Sequence, residues 1–487
     1  MDEVPDQSVA SMAQSGAPTL PAPMPSGENP REMDRLRRLM ARGKDFANRP
    51  AWRAAAFNLG FYGASYSLRF AGNIVLTRLL FPEQFGLMAL ANALRQGVEM
   101  LSDIGIGPSI VQNKRGDDPN FVNTAWTLQI VRACLMWLVA LAIAWPAQHF
   151  IYPNDPELLF LFPAVALCGL IGGFNSTALY TLNRHLRMGR ITALNLTSQV
   201  SGLVTMVLLA WYCQGQRSLA PYAVWSLVIG ALLSQCVQTF GSHLLDPRVR
   251  NRLCWDRTAV HAVFHFAKWI FISTLLTYFM LQLDQLMLGR LLSKDDLGVF
   301  SVAKNMAVMI PSAVSTLGAA VMFPVLARVV RDEPQRIRAK VERVRTLVLL
   351  PSALALALLV VFGNDIIHAL YKPDYHGAGW MLRILAAGAI GVLISPSYGQ
   401  AMMALGRGEQ IVWLLVSLIG FMLAGTLIGY YFFGGLQGFV IGLALTEWLN
   451  YPFVALRARK YGVWTPRVDA MLFVVAAIAV ALAFVRG

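Results

Sequence analysis

Apolar residues run along this chain in long blocks, punctuated by short polar or basic segments. A bilayer core of about 30 Å needs roughly 20 apolar residues per helix. On that measure the blocks predict helices at 57–80, 85–111, 121–144, 157–181, 191–212 and 220–241. A second set follows at 262–289, 297–326, 344–370, 378–403, 411–433 and 436–456. A last run covers 468–485, and from Met471 to Val485 it has no polar face to turn to water. The grouping is six, six and one.

The two sets echo each other. Leu76-Thr77-Arg78-Leu79-Leu80 returns as Leu288-Gly289-Arg290-Leu291-Leu292, an offset of 212 residues. At the same offset Phe85-Gly86-Leu87 becomes Leu297-Gly298-Val299, and Ala91 becomes Ala303. A membrane protein that builds one half twice is usually a transporter with its substrate path between the halves. Six helices per half start both halves on the same side of the membrane, so the repeat is parallel. The expected fold is an all-α integral membrane protein of two six-helix lobes, 51–245 and 246–457, related by a parallel pseudo-two-fold axis. A tail, 1–50, precedes them, and an extra C-terminal helix lies within 458–487.

Composition agrees. The chain is 56% hydrophobic and 14% charged, where soluble proteins carry about 25% charged residues. A formal charge of +14 first suggests nucleic acid. The placement of the basic residues argues against that partner. The segment before the first helix and the loops after every even helix hold 29 Lys and Arg, against four in the opposite loops. By the positive-inside rule the N-terminus is cytoplasmic. Residues 1–30 are rich in Pro, Ser, Ala and Gly with no apolar signal core, so a disordered cytoplasmic tail is expected. The basic stretch Arg31–Lys44 reads as a positive anchor for the first span, or as a helix on the inner leaflet. Cys134, Cys168, Cys213, Cys236 and Cys254 form no CxxC pair and read as small apolar fillers. The longest outer loop, around Trp145–Pro156, leaves little room for an external catalytic domain.

Motifs for nucleotide or metal chemistry are missing: there is no GxxxxGK[ST], HExxH or paired CxxC. His261 and His265 share a helical face but lack a third ligand, so neither a metal nor a cofactor is expected. Gly105-Ile106-Gly107 and Gly172-Gly173 suit close packing or a bend. The informative residues are charges inside the spans: Arg69, Arg78, Arg95, Arg132, Lys268, Lys304 and Arg383, with Glu99, Asp103, Asp284 and Glu447. A charge at mid-bilayer costs about 2.5 kcal/mol or more, so these residues face protein or water. The excess of bases describes a cationic, wet cleft suited to an anion. Arg78, Arg132, Lys304 and Arg290 lie near span ends or near partners, where snorkelling explains them equally well. Arg95 and Glu99, spaced i, i+4, also fit a simple ion pair. Arg69, mid-span in the first helix between Tyr66 and Phe70, and Lys268 in the seventh occupy equivalent helices and are the leading cleft residues. Arg383 and Arg95 join them.

Leu76 through Gly86, followed by Asp103-Ile104-Gly105-Ile106-Gly107, resembles the opening of Wzx-type polysaccharide flippases of the multidrug/oligosaccharidyl-lipid/polysaccharide exporter superfamily. Asp284-Gln285-Leu286-Met287-Leu288-Gly289-Arg290 resembles the start of their C-terminal lobe. The resemblance covers about 55–460 and leaves the tail and the thirteenth helix outside the core twelve. It implies a multi-pass protein of the bacterial inner membrane that is a transporter, not an enzyme. The cargo it implies is an oligosaccharide on polyprenyl pyrophosphate for O-antigen or exopolysaccharide synthesis. The pyrophosphate is then expected on Arg69, Lys268, Arg383 and Arg95, with Glu99, Asp103 and Asp284 as the titratable candidates for any coupling ion. A polysaccharide polymerase and chain-length machinery are the expected protein partners. Two rivals are a multidrug-type cation antiporter of the same superfamily and a membrane polymerase or ligase acting on the same lipid. Charge removal at Arg69 and Lys268 together is expected to abolish surface polymer at unchanged protein level, read by glycan staining beside an immunoblot.

Overall fold

The computed structural model describes residues 50–486, apart from Ile104, Lys114, Leu186, Arg217, residues 319–321 and Glu333. The expectations for the tail and for Arg31–Lys44 lie outside the described residues. So do the side chains of His261, His265 and Lys268. Among the described residues every regular element is helical, and Asn58–Gly487 forms one compact unit. The five cysteines carry free thiols.

The first set comprises α1 (Pro50–Leu79), α2 (Pro82–Leu101), α3 (Ile106–Gln112), α4 (Pro119–Pro146), α5 (Leu158–Gly173), α6 (Ala178–Arg184), α7 (Met188–Gln214) and α8 (Val224–Leu244). The second comprises α9 (Arg257–Leu291), α10 (Lys294–Leu317), α11 (Phe323–Asp332), α12 (Ile337–Leu370), α13 (Ala378–Val392), α14 (Ile394–Ala404), α15 (Glu409–Phe432), α16 (Leu436–Lys460) and α17 (Pro466–Arg486). Among the described residues nine helices are long and apolar enough to cross a membrane, or ten if the pair α5–α6, bent by 61°, counts as one span. The protein is therefore a multi-pass membrane protein. Of the thirteen expected spans, α1, α2 and α9 fall short of that apolarity. They are long helices that carry the polar residues Arg69, which is exposed, and Arg95, Glu99, Gln96, Gln282 and Asp284.

Several expected spans are broken. The predicted helix 85–111 divides at Ser102–Gly105, where Gly105 takes a left-handed φ of 67°. The predicted helix 157–181 divides after Gly173, whose packing against Ala133 leaves no room for a side chain.

The two sets meet most intimately where α2 crosses α10. A Cβ at Gly86 would collide with the carbonyl oxygen of Lys294, and a Cβ at Gly298 would collide with that of Pro82. Both pairs are separated by 212 residues (Pro82 to Lys294, Gly86 to Gly298), the spacing of the sequence echo. Residue i touching j′ while j touches i′ is the pattern of an isologous, two-fold contact. Glycine is required because backbone lies against backbone. Around this crossing the helix ends are tied together. Lys294 Nζ lies 3.4 Å from Asp155 and 3.6 Å from Glu83. Burial pushes the Asp155 carboxyl above the ordinary aspartate range, and Lys294 pulls against that shift. Tyr152 donates to the Leu286 carbonyl at 3.2 Å, Tyr375 to that of Leu80 at 3.0 Å, and Arg78 to that of Leu370, the last residue of α12, at 3.4 Å. A single apolar core spans both sets here, with Leu87, Phe162, Phe300 and Phe439. Toward the other end, which carries the basic loops, the cores separate. One cluster joins Ile106, Phe121 and Leu128 with Ala259, and another joins Leu326, Leu349, Tyr398 and Val454.

Helix α17 is part of the second set. At the basic end Arg345, at the margin of the predicted helix 344–370 and one of the 29 basic residues assigned to the cytoplasmic loops, is in fact a fully buried residue of α12 (0% exposed). It pairs with Asp469 of α17 at 2.7 Å, donates to Ser397 Oγ at 2.9 Å and to Thr465, and lies 3.8 Å over the Tyr398 ring. Tyr398 and Tyr451 donate to the other Asp469 oxygen at 2.6 and 3.1 Å. At the far end of α17, Arg486 pairs with Asp365 at 2.9 Å. A buried charge survives only with its partners in place. Arg345→Met or Asp469→Leu alone is expected to destabilise the protein by about 3–5 kcal/mol. The double substitution should recover part of that loss, read by thermal unfolding in detergent.

Candidate functional site

Within the first set, α2, α4, α5, α6 and α8 enclose a cavity of about 300 Å³. Its charged lining is Arg95, Glu99 and Arg132. Arg95 Nη1 lies 2.6 Å from Glu99 Oε1, one turn on along α2. Arg132 reaches across from α4: its Nη2 donates to the Glu99 carbonyl at 2.7 Å and its Nε to Ser102 Oγ at 3.0 Å. These acceptors are the exposed C-terminal end of α2, where the helix breaks and its carbonyls lose their partners. A cation at that end also complements the helix dipole.

One turn earlier on α4, Gln129 does the same for α5. Its Nε2 donates to the carbonyls of Gly173 at 2.9 Å and Asn175 at 3.1 Å. Thr239 of α8 donates to the Ile171 carbonyl at 3.1 Å and to Asn175 Oδ1 at 2.8 Å. Thus two interrupted helices end at the cavity, and α4 supplies the donors that close both. In an apolar solvent an interrupted span is tolerated only where such groups, or water, re-satisfy its backbone. Gly169 lies so near Glu99 that a Cβ there would stand 2.7 Å from Oε1. The missing side chain makes room for the carboxylate. Two guanidinium groups against one carboxylate leave the cavity positive, and its remaining polar lining (Gln129, Asn175, Tyr180, Gln235) consists of neutral hydrogen-bonding groups.

The other residues named from sequence occupy different places. Arg69 is exposed on α1, between Ser65, which donates to Gln199 Oε1 at 2.7 Å, and Gly72, which abuts Leu203. It therefore flanks the seam of α1 with α7 and is not among the residues lining the Arg95 cavity. Arg383 belongs to the second set and spends its guanidinium on the carbonyls of Val360 (3.3 Å) and Ala483, joining α13 to α12 and α17. Asp103 Oδ1 accepts the Gly105 N–H at 2.9 Å and so shapes the turn between α2 and α3. Asp284, 3% exposed, holds Lys304 at 2.7 Å, and Lys304 also donates to the Leu281 carbonyl at 3.0 Å. Glu447 is buried and accepts from Ser395 at 2.8 Å.

The structure thus brings together Arg95, Glu99 and Arg132. Sequence reasoning set Arg132 aside as a snorkelling residue and did not notice Gln129. The available signal was the pairing of an i, i+3 donor face on α4 with two helices whose glycine doublets mark breaks. Among the described residues no group of His, Cys, Asp and Glu is placed to hold a metal.

A family model described as "Polysaccharide biosynthesis protein" matches residues 75–378. The chain belongs to this family. Its relatives include the lipopolysaccharide biosynthesis protein WzxC of Escherichia coli, 22% identical over 80% of each chain. The succinoglycan biosynthesis transport protein ExoT of Rhizobium meliloti is 23% identical over 72% of this chain and 68% of its own. Among solved structures, the lipid II flippase MurJ in an inward closed conformation superposes with a TM-score of 0.64, covering 87% of this chain and 91% of its own at 10% identity. An inward-facing multidrug transporter of the MATE family gives 0.58 over 83% and 94% at 14% identity. These two likenesses speak to the fold.

Gly169→Ala is expected to cost about 1–2 kcal/mol of stability by crowding the Glu99 carboxylate. In a Glu99→Ala background the same change should cost little, since its neighbour is gone. A double-mutant cycle by thermal unfolding measures the coupling.

Proposed function

We propose that the protein moves an oligosaccharide carried on polyprenyl pyrophosphate from the inner to the outer leaflet of the bacterial inner membrane, for surface polysaccharide synthesis. The observation that carries this reading is the positive cavity at Arg95 and Arg132, at the breaks of two helices, in a member of the polysaccharide biosynthesis family. The relatives' roles in lipopolysaccharide and succinoglycan biosynthesis support it, and so does a fold shared with a lipid II flippase.

The physical problem is the pyrophosphate. Isolated charges in hydrocarbon cost many kcal/mol, so the head needs a wet, cationic route while the prenyl tail stays in lipid. Arg95 and Arg132 suit that role because guanidinium forks match phosphate oxygens. In this structure they rest on Glu99 and on the end of α2, acceptors from which an incoming phosphate can draw them. Arg69 and Lys268 serve as further stations along the path, and Arg383, engaged elsewhere, does not take part. A cavity with surplus arginine disfavours cationic cargo, which argues against drug antiport.

With the basic loops on the cytoplasmic side, the N-terminus is cytoplasmic and the joined end at Gly86 and Gly298 lies outside. Loading is then from the cytoplasm, and release requires the two lobes, 51–245 and 246–457, to rock about that crossing. Outward movement of an anion gains about 2.3 kcal/mol per charge per 100 mV of inside-negative potential. Glu99, which holds Arg95, stands with Asp103 and Asp284 as a candidate site for any coupling ion. A polymerase working at the outer leaflet would consume the product.

Arg95→Gln with Arg132→Gln is expected to remove surface polysaccharide and to accumulate lipid-linked repeat units on the cytoplasmic side, with the protein at its usual level. Lipid extraction with leaflet-selective labelling reads the outcome. Ordinary export by the double variant rejects the reading.

A further inference from the structure

A second cavity, of about 760 Å³, opens at the basic end of the first set and lies outside the machinery described above. Its walls are the start of α4, the end of α6 and the segment that links the two sets. That linker, 245–256, opens with a turn in which the Val249 N–H donates to the Asp246 carbonyl at 3.1 Å, and its second half is pinned in place. Its backbone N–H groups at Arg252, Cys254 and Asp256 donate to Asn123 Oδ1, Thr127 Oγ1 and Thr124 Oγ1 at 3.0, 3.0 and 3.1 Å. Asn251 bonds Ser176 and Thr177 at the break between α5 and α6, at 2.7 and 2.6 Å. Asp256 also takes Arg115 at 3.0 Å. Hydrogen bonds from Thr258 and then from Arg115 hold its carboxyl down at about 2, so this anchor stays ionised at any cellular pH.

The pinned linker reads Arg248-Val249-Arg250-Asn251-Arg252. All three arginines line the cavity, joined by Arg187. Among the described residues none of these four guanidinium groups has a carboxylate or carbonyl partner. Of the two acids in the lining, Asp117 is already taken by Arg184 at 3.0 Å and by His185. Asp246 accepts the Arg248 backbone N–H at 3.0 Å and alone offsets the four. Four undischarged arginines on a rigid concave wall are what a multiply charged phosphate group needs. On the two elements that run into and out of this segment, Phe240 and Leu244 (81% exposed) of α8 and Leu253 and Trp255 of the linker are exposed apolar residues. Aromatic and aliphatic side chains at such a level meet the membrane interface. The charge of the cavity, with exposed apolar residues on its flanking elements, suits an anion attached to lipid better than one free in water.

We propose that this cavity is a docking site for the phosphate-bearing head of a membrane lipid, occupied before the lipid reaches the Arg95 cavity. The proposal rests on the flippase reading only for which lipid that is. The test uses the full chain in nanodiscs doped with polyprenyl pyrophosphate or with phosphatidic acid, alongside inorganic pyrophosphate in solution. Retention is followed by native mass spectrometry, for wild type and for the combined Arg248→Gln, Arg250→Gln and Arg252→Gln variant. The three side chains are exposed, so an unchanged melting temperature certifies the variant's fold; should the triple variant fail to fold, Arg250→Gln and Arg252→Gln singly serve the same purpose. The expected result is that wild type holds the doped lipid and the triple variant loses about tenfold or more in affinity. Loss for polyprenyl pyrophosphate alone identifies the transported lipid as the occupant, and equal loss for phosphatidic acid identifies anionic lipid in general. Tighter retention of soluble pyrophosphate than of either lipid, or lipid retention indifferent to the three arginines, overturns the proposal. Arginine-dependent retention with no transport in the flipping assay would leave this site standing and the flippase reading rejected.

Discussion

A charge in an apolar solvent must be matched, and this constraint organises the structure more than any other. The chain carries charges at membrane depth, and several of those described are met by an opposite charge or by backbone carbonyls. Arg345 and Asp469 disappear into a fully buried network, and Asp284 and Lys304 pair between neighbouring helices. Arg383 is absorbed by backbone carbonyls. These matched groups hold the second set together, and they bind α17 to α12 and α13 from both ends. They are spent on architecture, and so they are poor candidates for catching a passing anion.

What remains for function is the place where matching is loose. Arg95 and Glu99 are one-quarter to one-third exposed, and Arg132 is engaged by a helix end instead of by a carboxylate. The cavity owes its existence to the breaks in the expected second and fourth spans, because a continuous helix would bury its carbonyls in its own hydrogen bonds and offer Arg132 nothing. The same economy appears at the basic end, where the linker's backbone is tied to α4 at Arg252, Cys254 and Asp256 while its arginines are left to solvent.

Much of the fold was legible in the chain. The period and length of the apolar blocks placed the helices to within a few residues: 121–144 against the observed Pro119–Pro146, 436–456 against Leu436–Lys460. The echo at 212 residues led to the segment that holds the reciprocal Gly86 and Gly298 crossing. The breaks were less visible, because a helix and a broken helix of the same composition are equally apolar. Gly105 and the Gly172-Gly173 pair marked them, but glycine in a span also serves close packing, and the two uses look alike in one dimension. The candidate site was half legible. Arg95 and Glu99 were identified by their charge and spacing, whereas Arg132 resembled any arginine near a span end until α2 was seen to stop beside it.

The sequence by itself determined the solvent and the helical class, because each follows from composition or from periodicity along the chain; a doubled plan and a positive interior were its further expectations. Which charges are consumed by structure and which are left available was decided only by the tertiary arrangement. Arg345 looked like a loop charge and proved to be the most deeply buried cation described; Arg383 looked like a binding residue and proved to be holding helices together. The difference lies in what stands opposite each side chain across a few ångströms, and that distance is set by packing between helices far apart in sequence.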